Sequence, residues 1–162
     1  MKLLYTCGDS WTAGEEIPNK FKCQTENYYN TWPWFFCQNF KIPLCINEGH
    51  GGASNDYIFR KTNNFILDWV GKSKPVKDLM IIVGWTSHER TEIPSNNNYY
   101  HITSNDIIGP SPKKHHVEYR DSFYRIYDDE LFLLKQIRHM LILKNLCKGL
   151  GIKYYDFVAI GK

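Results

Sequence analysis

The chain has little that would mark a membrane, secreted or metal-binding protein. No stretch approaches the ~18 consecutive apolar residues of a membrane span. The start, Met1-Lys2-Leu3-Leu4-Tyr5, is too short in apolar residues for a secretory leader, so a cytoplasmic protein without membrane contact is expected. The five cysteines, Cys7, Cys23, Cys37, Cys45 and Cys147, include no Cys-x-x-Cys pair, which argues against a zinc ribbon or dithiol redox site and leaves buried free thiols as the expectation. Twenty Lys and Arg against 17 Asp and Glu leave a net charge of +3. Nucleic-acid-binding faces concentrate basic residues on one stripe. The densest basic block here, Lys113-Lys114-His115-His116, reads as a solvated loop, so no nucleic-acid partner is expected. Neither a Gly-x-x-x-x-Gly-Lys-Ser/Thr loop nor a dinucleotide-type glycine spacing is present, which leaves no sign of a nucleotide cofactor.

What is present is a globular composition: 162 residues with 43% hydrophobic and 15% aromatic content, enough for one core and short for two, so residues 1–162 are read as a single domain. The wealth of Asn, Lys, Ile and Tyr fits an AT-rich coding genome such as that of many viruses.

Lys2 to Cys7 is apolar and runs into Gly8-Asp9-Ser10, the pattern of a buried strand ending in a tight turn. Trp32 to Phe40 suits a short helix with Pro33 in its first turn. Its aromatics, at helical spacing, are read as core rather than as a sugar-stacking platform. Pro43 to Asn47 reads as a second strand leading into the glycine-rich Glu48-Gly49-His50-Gly51-Gly52-Ala53. Ser54 or Asn55 caps a helix with Ile58, Phe59, Phe65, Ile66, Trp69 and Val70 on one face. Leu79 to Val83 is a continuous apolar run, as in a strand covered on both faces. Gly84 to about Arg120 is polar and reads as a long loop. Asp121 to Leu150 reads as one long helix and Lys153 to Phe157 as a fourth strand. Alternation of strand and helix implies a mainly parallel sheet between two helical layers. Ligands of such sheets bind beyond the carboxyl ends of the strands, where the turns at Gly8, Gly49–Gly52 and Gly84 are expected to gather.

These three turns resemble the blocks of the SGNH/GDSL hydrolases, esterases and carbohydrate deacetylases on a flavodoxin-like three-layer α/β/α fold. Gly8-Asp9-Ser10-Trp11 matches the first block and the Gly49–Gly52 turn the second. Gly84-Trp85-Thr86-Ser87-His88-Glu89-Arg90 stands in the third, in a form similar to phage-type members, with Thr86 where the family has an asparagine. The resemblance implies Ser10 as nucleophile and an oxyanion hole completed by Gly52, with Gly51 as the alternative, and by the Thr86 hydroxyl. Asp9, Trp11, Asn55 and Arg90 become substrate-site candidates, the substrate being a small-molecule or carbohydrate ester. No metal or other cofactor is implied.

The family's fourth block, Asp-x-x-His, does not occur in the sequence. The expectation is therefore a version of the fold truncated at its C-terminus, with His88 or His50 as the candidate general base. His101, His115 and His116 are weaker candidates on a polar loop that folds over the site, and His139 is the weakest. The rival expectation is a catalytically inactive relative serving as a binding or interaction protein; a second chain supplying the histidine is a third. An uncovered fourth strand would expose a sheet edge, which favours a homo-oligomer.

Overall fold

The computed structural model describes residues 1–15, 30–95, 98–109 and 112–159. Four parallel strands, β1 (Leu3–Cys7), β2 (Leu44–Asn47), β3 (Leu79–Trp85) and β7 (Lys153–Val158), form the central sheet in the order β2-β1-β3-β7. β1 and β3 are buried along their whole length because they lie inside the sheet with helices on both faces. Alternate residues divide between the two cores. Leu4, Met80 and Ile82 pack against α2 (Trp32–Phe40), beside Cys37, Trp32 and Phe36. Leu3, Tyr5, Ile81 and Val83 face the larger core beneath α3 (Asn55–Gly71) and α5 (Asp129–Leu150), with Ile58, Ile66, Leu143 and Cys147. The result is a three-layer α/β/α arrangement around a mainly parallel sheet, as the alternation of elements predicts.

Local chemistry sets the element ends. Pro33 sits at the start of α2, where its missing N–H costs nothing. Of the two candidate caps for α3 it is Ser54 whose side chain accepts from Tyr57 N–H. Cys7, Cys37 and Cys147 are buried free thiols and Cys45 is half-buried; Cys23 lies outside the described residues. Among the described residues no helix is long and apolar enough to cross a membrane.

Three expectations need correction. The polar stretch after β3 is not a long loop. It forms an antiparallel sheet of β4 (Thr91–Ser95), β5 (Asn98–Ile102) and β6 (Ile107–Ile108), with Tyr100, Ile102 and Ile107 as a small core of its own. The basic block Lys113 to His116 opens α4 (Lys114–Arg125), and His116 is buried with its ring 3.9 Å from that of Tyr100. The single helix expected from Asp121 to Leu150 is two helices, because the Asp128 carboxylate takes the Leu131 N–H and caps α5 afresh.

Candidate functional site

The carboxyl ends of β1, β2 and β3 are tied together by named bonds. After β1, Asp9 caps the one-turn helix α1 (Ser10–Ala13) by accepting from the Trp11 N–H, and Ser10 is the first helical residue. The His50 N–H donates to the Gly8 carbonyl at 3.0 Å, and a Cβ at Gly49 would run into the backbone of Thr12 and Ala13. Asn47, at the end of β2, donates to the Thr12 carbonyl at 2.7 Å while its Oδ1 accepts from Gly49 N–H and from the Thr6 hydroxyl. Sequence reading passes over Asn47; its position at a strand end before a glycine turn is the signal.

Within the glycine turn most backbone donors are already committed. The N–H of Gly49 goes to Asn47, that of His50 to Gly8, that of Gly51 to the Glu15 carboxylate at 3.0 Å, and that of Ala53 to His50. The Gly52 N–H has no acceptor among the described residues, which separates Gly52 from Gly51 as an anion donor. Gly52 has φ +67°, in the region that disfavours other residues, and a Cβ on it would strike the Ile108 side chain. The small sheet thus lies directly over this turn.

The third turn is held differently from the resemblance. Thr86 is buried, and its hydroxyl donates to Asp9 Oδ2 at 3.2 Å. A hydroxyl has one proton to give, so this donor is directed to Asp9 and not into an oxyanion hole. Asn55, also buried, clamps the same turn: its Nδ2 donates to the Thr86 and Ser87 carbonyls, and its Oδ1 accepts from the Thr86 N–H at 3.0 Å. Asp9 is fully buried, with Arg90 Nη1 3.8 Å away, so Asp9 and Asn55 act as positioning groups for the turns. Trp11, by contrast, is 59% exposed beside Ser10.

Neither candidate base bonds Ser10. His50 Nδ1 lies 2.8 Å from the Gly51 carbonyl; since a carbonyl only accepts, Nδ1 is the donor, and the lone pair of the neutral ring is on Nε2. His88 is held from the other nitrogen, its Nε2 2.8 Å from Asp129 Oδ1 at the start of α5. No spacing rule reveals that pair. His101, on β5, is buried, with its ring 4.7 Å from that of His50 and 5.0 Å from that of Tyr57. Burial first, then the neighbouring His50 and Arg60 charges, pushes its pKa down to about 4, so it stays neutral near pH 7. Beside it, Arg60 makes a double contact with Glu92 at 2.9 Å and stacks over Tyr99. Among the described residues no group of three or more His, Cys, Asp or Glu side chains is placed to hold a metal ion.

No protein-family model matches the sequence, and no curated protein matches it. The geometry at the strand ends is therefore the ground for a functional reading.

Proposed function

We propose that this protein is a serine ester hydrolase of the SGNH type, cleaving an acyl ester of a small molecule or carbohydrate. One observation carries the reading: among the described residues the Gly52 N–H is the donor left without a partner in a glycine turn that is bonded to the strand end bearing Ser10. An uncommitted backbone N–H in a turn bonded to the one that bears a serine supports acyl transfer, because such a donor holds an oxyanion without reorganising.

In this reading the Ser10 Oγ attacks the ester carbonyl carbon as its proton passes to His50 Nε2. The carbonyl electron pair moves onto oxygen and is held by the Gly52 and Ser10 N–H groups. Collapse expels the alcohol, which leaves with the proton donated by His50 Nε2, and leaves Ser10 acylated. Water, deprotonated by the same nitrogen, then attacks the acyl carbon, and the proton passes from Nε2 to the departing Ser10 Oγ as the acid is released. His50 is preferred to His88 because its backbone is bonded to Gly8, two residues from Ser10, and its Nδ1 contact puts the lone pair of the neutral ring on Nε2. Thr86 in this scheme fixes Asp9 and with it the cap of α1.

A second reading, a non-catalytic relative that binds a ligand or partner, is favoured by one observation: neither the His50 nor the His88 ring bonds Ser10. Labelling with a serine-directed fluorophosphonate and turnover of a p-nitrophenyl ester separate the two. The expected result is labelling and turnover that vanish in Ser10→Ala and fall ~100-fold or more in His50→Gln, the scale of a lost general base, with His88→Gln close to wild type. No Ser10-dependent labelling or turnover would leave the non-catalytic reading standing.

A further inference from the structure

α5 has two flanks. One packs on α3: His139 stacks on Phe59 at 4.3 Å, and Lys135 pairs with Asp56. The opposite flank faces past β7, the outermost strand of the central sheet on that side among the described residues, and it is apolar and exposed. Leu133, Leu134, Ile137 and Leu141 lie there, each between 40% and 52% accessible, where lone exposed apolar side chains are ordinary but a contiguous stripe is not.

The stripe has an internal order. Residues three, four and seven apart share a helix face. Counting outward from Ile137, Leu133 and Leu141 lie four residues to either side, Leu134 and Met140 three, and Glu130 and Lys144 seven. The apolar positions are thus the same in both directions, and the charges at the two ends are opposite. Among the described residues neither Glu130 nor Lys144 has an ion-pair partner, and both are exposed.

A sequence that reads the same outward from its centre, with charges of opposite sign at the ends, is complementary to a reversed copy of itself. We propose that this flank of α5 is the interface of a two-fold dimer of the chain, with α5 antiparallel to its copy and the two Ile137 side chains meeting on the axis. Such an interface is isologous, so Glu130 of each protomer faces Lys144 of the other, and Leu133 faces Leu141. An axis perpendicular to the sheet sets the outer edges of the two β7 strands antiparallel on the same side. The second copy is the occupant chosen by charge: a like-oriented helix would bring Glu130 against Glu130, whereas the reversed copy neutralises both ends. The inference is independent of the hydrolase reading.

Sedimentation equilibrium of the full chain tests it. The wild type should dimerise. Glu130→Lys and Lys144→Glu should each weaken the dimer by about tenfold, because each reversal spoils two symmetry-related pairs, and the double variant Glu130→Lys/Lys144→Glu should restore it. Ile137→Cys should cross-link to its own copy under mild oxidation, while Ile142→Cys, exposed but placed off the stripe, should not. These side chains are exposed, and circular dichroism checks that each variant keeps its fold; should a charge variant fail that check, the cysteine pair decides. A monomeric wild type, a dimer indifferent to the single reversals, a double variant no better than the singles, or equal cross-linking of the two cysteine variants would each overturn the proposal.

Discussion

Acidification from about pH 7 to pH 4.5 charges His101 in the unfolded chain but not in the folded one, and stability should respond in a direction fixed by that difference. In the unfolded chain the imidazole titrates near its ordinary 6.5; in the folded protein burial, with help from His50 and Arg60, holds it down to about 4. The groups that face it are the His50 and Tyr57 rings, the Arg60 guanidinium, and Glu92 across the β4–β5 register. Above 6.5 both states are neutral at this site and it contributes no pH dependence. Between 6.5 and 4 the unfolded state binds a proton that the folded state refuses, so stability falls as pH falls. At about 1.4 kcal/mol per pH unit, the whole effect is at most about 3 kcal/mol. Urea melts of the wild type and of His101→Asn across this window measure it. His139 is also held below its usual value by burial and acts in the same sense, but it is present in both proteins and cancels in the comparison. The wild type should lose about 2–3 kcal/mol more than the variant on going to the acid end. Parallel stability curves would refute the claim that His101 is buried and neutral.

Two further substitutions probe the strand-end turns. Gly52→Ala should cost about 1–2 kcal/mol from its positive φ alone, with an added loss from the collision with Ile108; combining it with Ile108→Ala should recover the second part and not the first, read from melting temperatures. Asn55→Ala removes the clamp on Thr86 and Ser87 and leaves buried backbone groups without partners. A loss of about 3 kcal/mol is expected in urea melts, with Asn55→Asp in between because it keeps the acceptor for the Thr86 N–H.

The readable parts of the fold are those where one local rule dominates. The unbroken apolar runs of β1 and β3 announce strands buried on both faces, Pro33 and Ser54 mark helix starts, and the glycine turns after the strands predict a shared edge. The rest depends on partners far along the chain. The small sheet is hidden because Tyr99 to Ile102 is a short β-prone stretch within polar sequence, and its burial comes from contact with α4 and with the glycine turn. The break before α5 turns on one carboxylate choosing the Leu131 N–H. The direction of the Thr86 hydroxyl is set by Asp9, a residue 77 positions away, and the His88–Asp129 pair by the docking of α5 beside the third turn. The serine's placement is legible for the same reason as the strands; the state of its candidate bases is not, because each ring is fixed by groups from another element or from its own turn.

The all-parallel order of the central sheet has a kinetic consequence. Leu3 pairs with Leu44 and Leu79, and Met80 with Lys153, so no strand of this sheet is joined to its neighbour by a local hairpin, and chain closure over long segments precedes every pairing. The turns bearing Ser10, Gly52 and Thr86 have no common edge until β1 has gained both of its neighbours. During synthesis β1 emerges before both of its neighbours and stays unpaired on its β3 side until residue 79 and beyond have followed, so its apolar run is a surface for chaperones or for misassociation in the interval. Of the strands of this sheet, the one that carries the serine turn is therefore made before either of the neighbours that enclose it.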